Sequence, residues 1–128
     1  MEIYYSHAMT IYGTEIETNE KLLILKNMPN AKIVDPGSFQ TNIQKQKEGM
    51  SYCLRLVEKC HGLVFTRFLN KITAGVGLEV NHALKNNMPV HELRKDKLRK
   101  ISKPVTYLSR DDTNRLYRMW RFKQLFPS

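Results

Sequence analysis

His61-Gly-Leu-Val-Phe-Thr-Arg-Phe-Leu-Asn-Lys-Ile-Thr-Ala-Gly-Val-Gly-Leu-Glu79-Val-Asn-His-Ala-Leu-Lys-Asn-Asn-Met-Pro-Val-His-Glu-Leu93 is the stretch that decides the fold. Leu63 to Phe65 reads as a short buried strand, and a polar loop then carries Thr73 and Ala74 to a Gly75-Val76-Gly77 turn. Leu78 to Asn86 has helical spacing at Leu78, Val80, Ala83 and Leu84, and Pro89 to Leu93 is the next strand. Strand, glycine turn, helix and strand make one βαβ unit, so its strands run parallel with a right-handed crossover. Ligands bind at the carboxyl edge of such a sheet, where this turn falls.

Glu79 follows the turn and is expected in the first helical turn, where free N–H groups and the helix dipole favour an ionised carboxylate. Gly75 and Gly77 would let a ligand approach the backbone closely. Acidic residues are also common in first turns for capping alone, so spacing leaves both readings open. The Gly-Val-Gly run lacks a third glycine, and no Gly-Lys-Ser/Thr sequence makes a P-loop.

Working outward, Glu2 to Tyr5 is a first strand, followed by a loop with Ser6, His7, Met9 and Tyr12. That loop faces the same edge as Gly75. Its hydroxyls and histidine are candidate ligand contacts, or simply solvated and capping groups. Thr14 and Glu17 have capping-box spacing, and Ile16, Leu22, Leu23 and Lys26 carry a helix up to Pro29. Ala31 to Val34 is a second strand, Ser38 to Gly49 a loop or loose helix start, and Met50 to Cys60 a helix with a wide apolar stripe. Arg94 to Lys103 reads as a basic linker and Pro104 to Leu108 as the last strand. Ser109 caps a terminal helix in which Leu116, Met119 and Trp120 share one face, expected to dock the helix on the sheet, and Arg115, Arg118 and Arg121 another.

Counting elements gives an α/β fold: a Rossmann-like or flavodoxin-like parallel sheet of about five strands with helices on both faces, in one domain spanning 1–128. At 41% hydrophobic and 26% charged residues, the composition is that of a soluble globular chain. No stretch reaches the roughly 18 apolar residues of a membrane span, and no signal pattern opens the chain, so the expected location is cytoplasmic, with no membrane partner. Cys53 and Cys60 lie about 10.5 Å apart along one helix at 1.5 Å per residue, too far for a disulfide. The histidines and cysteines lack zinc spacing, so no metal and no cofactor are expected. Residues 91–128 hold eleven Lys/Arg against four acids, so most of the net charge of +9 sits in the C-terminal third. Such a patch attracts phosphates, on a nucleotide or on nucleic acid, or is a solvated face.

The order of motifs resembles the nucleoside 2-deoxyribosyltransferase superfamily, and within it the 2′-deoxynucleoside 5′-monophosphate N-glycosidases. Ile3-Tyr-Tyr-Ser-His-Ala-Met9 is similar to that family's opening strand and loop, and Gly75-Val-Gly-Leu-Glu79 to its nucleophile motif. The resemblance covers roughly residues 2–93. It implies Glu79 as nucleophile on the anomeric carbon of a nucleoside or its 5′-monophosphate, with Tyr4 assisting. It implies substrate contacts from the first loop (Ser6, His7, Met9) and from Thr73, Gly75 and Gly77. The family's proton-donating aspartate falls about where Met50 to Leu54 stand here, where there is no acid. Glu48, one turn earlier, is the candidate for that role. His7 replaces the usual loop glycine, and His61 or Gly62 the usual aspartate at the central strand. A non-enzymatic nucleotide- or nucleic-acid-binding module using the basic C-terminal third is the alternative. Parallel sheets of this size often pair through helices, so a homodimer is expected.

Overall fold

A computed structural model describes residues 1–126; Pro127 and Ser128, the end of the expected domain 1–128, lie outside the described residues. In chain order come β1 (Glu2–Ser6), α1 (Glu15–Asn27), β2 (Lys32–Val34), α2 (Ile43–Glu48), α3 (Met50–Glu58) and β3 (Gly62–Phe65). They are followed by α4 (Ala74–Lys85), β4 (Val90–Arg94), β5 (Lys97–Ile101) and α5 (Arg110–Leu125). The five strands form one sheet in the order β2-β1-β3-β4-β5, parallel except for β5, which runs antiparallel to β4. This is an α/β sheet of Rossmann-like or flavodoxin-like type. The chain reverses its direction of travel across the sheet between β1 and β3, so the loops after these strands flank the switch point.

Alternation along β1 decides what each face holds. Tyr4 joins Leu63, Phe65, Val57, Val76 and Val80 in the core under α3 and α4, whereas Ile3 and Tyr5 join Val64 and Ile24 under α1. Helices therefore cover both faces. Full burial of aliphatic and aromatic side chains such as Val80 and Phe65 contributes about 1.5–3 kcal/mol each.

Four expectations need correction. The basic linker is β5: Leu93 pairs with Leu98 and Val90 with Ile101 in a hairpin, and Leu98 and Ile101 reach the two cores. Lys97, Arg99 and Lys100 are exposed on this edge strand, where charge discourages pairing with another sheet. Pro104 to Leu108 is not a strand but an extended strap. The Asn81 side chain bonds both the N–H and the carbonyl of Val105 (2.8 and 3.0 Å), and Leu108 N–H donates to the Ile72 carbonyl (2.9 Å). On α1 the buried positions are Glu17 and Ile24, while Ile16 and Leu22 face solvent. Finally, α5 docks not on the sheet but on the loops, through Leu116, Tyr117 and Trp120 against Ala8, Ile11 and Phe68, and Met119 is exposed.

Candidate active site

The helix that carries Glu79 starts at Ala74, capped from outside, so Gly75 and Gly77 are helical residues and Glu79 sits in the second turn rather than the first. The glycines misled because Gly-Val-Gly reads as a turn when spacing alone is used. From the second turn Glu79 points under the sheet edge and is only 5% exposed. Its Oε2 accepts a hydrogen bond from the Tyr4 phenol and its Oε1 one from the Ser6 hydroxyl, each at 2.6 Å. Such short bonds to a carboxylate are of the charge-assisted kind. Tyr4 and Ser6 can meet the same carboxylate because they lie two apart on β1, on the α4 side of the sheet.

Burial pushes the Glu79 carboxyl up to about 7, against the pull of the two hydroxyls and of the Lys45 ammonium. The expectation of a firmly ionised carboxylate is corrected accordingly: desolvation outweighs the donors. Tyr4 is pushed well above the ordinary phenol range by burial and by Glu79's charge, so it stays a donor. Cys53 is pushed up by burial and by Glu79, and Tyr12 by burial first and Glu79 second. Lys45, Tyr12 and Cys53 are thus near enough to the carboxylate for its charge to act on them. Lys45 reaches in from α2, with its Nζ donating to the Pro36 carbonyl at 2.8 Å and lying 5.7 Å from the centre of the Tyr12 ring.

No protein-family model, no curated protein and no solved structure matches this chain.

The remaining expected residues are placed as follows. Thr73 is buried as the N-cap of α4, but its side chain makes no cap bond; the Ala74 N–H donates to Thr113 Oγ1 on α5 instead (2.9 Å). Thr73 lies against the Tyr117 phenol, which accepts from the Met9 N–H at 3.2 Å. The Met9 side chain is exposed. A Cβ on Gly77 would stand 2.1 Å from the Tyr107 ring, whereas one on Gly75 would make an ordinary 3.4 Å contact with Met50. Gly77 therefore admits the strap rather than a ligand.

Two expected residues are engaged elsewhere. Glu48 pairs with Arg55 on the surface, and this guanidinium holds its carboxyl below the ordinary range. His7 stacks flat on Tyr5 (3.7 Å between centroids), with Nδ1 3.0 Å from the Tyr5 carbonyl and Nε2 2.7 Å from Glu17 Oε2. The imidazole belongs to a network with the buried Glu17 and Asp35, which the half-exposed Lys21 joins from the solvent side. The ligand atoms of His7, Glu17 and Asp35 lie within 4.8 Å of one another, as a metal site would need. Lys21 already supplies the cation, 2.5 Å from Asp35, and the Gly13 and Gly37 N–H groups occupy further carboxylate lone pairs. Sequence reading missed Lys45, which lies in a polar stretch without periodicity, and Cys53, whose place in an apolar stripe reads as core. Among the described residues no helix is long and apolar enough to cross a membrane.

Proposed function

We propose that the protein is an N-glycosidase or deoxyribosyltransferase acting on a deoxynucleoside or its 5′-monophosphate, with Glu79 as nucleophile. The observation that carries this reading is the buried Glu79 carboxylate held between the Tyr4 and Ser6 hydroxyls. Each oxygen accepts one hydrogen bond and keeps a lone pair. A carboxylate so oriented can stabilise the oxocarbenium-like state of N-glycosidic cleavage and then capture the anomeric carbon. The glycosidic bond breaks, the base leaves with the electron pair, and water or an acceptor base later displaces Glu79. Only the ionised form attacks, so activity rises with pH through about 7. Lys45, the cation that acts on Glu79, is suited to a 5′-phosphate. Glu48 is not given the proton-donating role, because its partner is Arg55.

Incubation with deoxynucleosides and their 5′-monophosphates, beside a Glu79→Ala control, tests this reading. Release of free base that vanishes in the variant supports it. Undiminished release in the variant contradicts it. A homodimer and a cytoplasmic location remain expectations of the same reading.

The second reading is a binding module for nucleic acid. The exposed Arg115, Arg118, Arg121 and Lys123 of α5 favour it, as does the near-complete closure of Glu79. Affinity that falls steeply with salt and ignores Glu79 substitution would select it.

A further inference from the structure

On the face of the sheet opposite Glu79 lies a cleft of about 280 Å³ that the proposed chemistry does not use. It opens at the carboxyl ends of β3 and β4, beside the switch point, where α/β sheets hold ligands. Its volume is near the lower end of small-molecule sites.

The cleft is built from two polar patches with apolar walls. Glu20 and Thr66 form the first: Glu20 Oε1 accepts from the Tyr5 phenol at 2.5 Å and from the Thr66 hydroxyl at 2.9 Å. Burial pushes the Glu20 carboxyl up despite these donors, so it gains from any cation that arrives. The second patch is cationic. Arg67 is bonded through Nε to the buried Glu92 (2.7 Å), and Arg94 lies 3.4 Å from Asn70 Oδ1, with Lys95 beside it. Glu92 is thus already paired, which leaves Arg94 and Lys95 in excess. Leu23 and Leu93 supply the apolar lining.

Two tight turns frame the cleft. Among the described residues, Asn70 (φ 65°) and Lys95 (φ 58°) have positive φ because each lies in a two-residue turn, Leu69-Asn70 between the paired Phe68 and Lys71 and Lys95-Asp96 between the paired Arg94 and Lys97, and both line this cleft. The two turns hold these residues in fixed places at the rim of the cleft.

We infer that this cleft binds a small zwitterion, with its phosphate or carboxylate on Arg94 and Lys95 and its ammonium on Glu20. The Glu20 carboxylate and Thr66 hydroxyl select the ammonium end, and the leucines accommodate a short carbon chain between the ends. The site is separate from Glu79, so it stands or falls without the glycosidase reading.

Phosphoethanolamine is the probe, with inorganic phosphate and ethanolamine as its two halves. Isotope-labelled full-length protein is titrated with each while backbone amide resonances are followed. Phosphoethanolamine should produce saturable shifts at Thr66, Arg67, Asn70, Arg94 and Lys95, binding roughly tenfold more tightly than either half. Arg94→Ala combined with Lys95→Asn changes exposed positions and keeps a residue suited to positive φ, so it should abolish binding without unfolding the protein. Glu20→Gln should bring phosphoethanolamine and phosphate to similar affinity. Three results would each overturn the inference: no saturable shift, equal binding of phosphate and phosphoethanolamine by the unsubstituted protein, or unchanged binding by the Arg94/Lys95 variant.

Discussion

Thr113 Oγ1 accepts the Ala74 N–H at 2.9 Å, so the C-terminal helix α5 caps α4, the helix that carries Glu79. Thr73, at the usual capping position, does not make that bond. The relationship ties α5, which packs on the loops after β1 and β3, to the start of the helix that carries Glu79.

Thr113→Val keeps the buried volume and removes the acceptor. The loss should resemble that of a helix cap, about 0.5–2 kcal/mol in unfolding free energy. Hydrogen exchange of the Ala74, Gly75 and Val76 amides should speed up more than that of the β3 amides. Exchange that rises equally everywhere would mean that the bond acts only on global stability.

Gly77→Ala places a methyl where the Tyr107 ring stands, while Gly75→Ala meets only Met50. Gly77→Ala should therefore destabilise the protein by about 1–3 kcal/mol through overpacking, and Gly75→Ala should cost much less. Tyr107→Ala in the Gly77→Ala background should restore part of the loss. Thermal unfolding of the three variants checks the order.

Much of this arrangement was legible in the sequence, because apolar periodicity marks elements buried on a face. Leu63 to Phe65, the stripe with Cys53 and Val57, and the Ser109 cap all fall where spacing places them. The edge strand β5 was not legible: only Leu98 and Ile101 of its five residues are apolar, so Lys97, Arg99 and Lys100 read as linker. Glu79 and Tyr4 stood out only through motif resemblance, since no spacing in the sequence shows that strand β1 brings the Tyr4 phenol onto the Glu79 carboxylate. Lys45 left no signal, since a side chain that reaches a site from a short polar helix follows no period. His7 looked like a loop ligand because sequence does not show that Tyr5 and Glu17 close around it.

Glu79 also sets a pH dependence of stability. Its folded value of about 7 lies above the ordinary 4.5, so the folded state binds the extra proton between these values. Stability from this group is full below about pH 4.5, falls as pH rises towards 7 and stays low above it, by on the order of 3 kcal/mol. Glu79→Gln, which cannot ionise, should flatten that slope and be the more stable protein at about pH 9. Urea unfolding across this range reads both curves. A wild-type stability that rises through pH 7 as Glu79 ionises would contradict the assignment.

Tyr4→Phe keeps the packed ring and deletes one of the two donors to Glu79. A hydrogen bond to a charged group is worth about 1.5–3 kcal/mol, so the carboxyl should rise further. In the glycosidase reading, the pH at which activity is half-maximal moves upward in this variant, and Glu48→Ala leaves activity unchanged. An unmoved pH profile in Tyr4→Phe would separate Tyr4 from the nucleophile.

The most direct test of the central claim is peptide mass mapping after rapid acid quench of the protein with deoxynucleoside 5′-monophosphates. The account predicts a deoxyribosyl adduct on the peptide containing Glu79, absent from Glu79→Ala. Base release with the adduct on another residue, or base release that persists in Glu79→Ala, would contradict it.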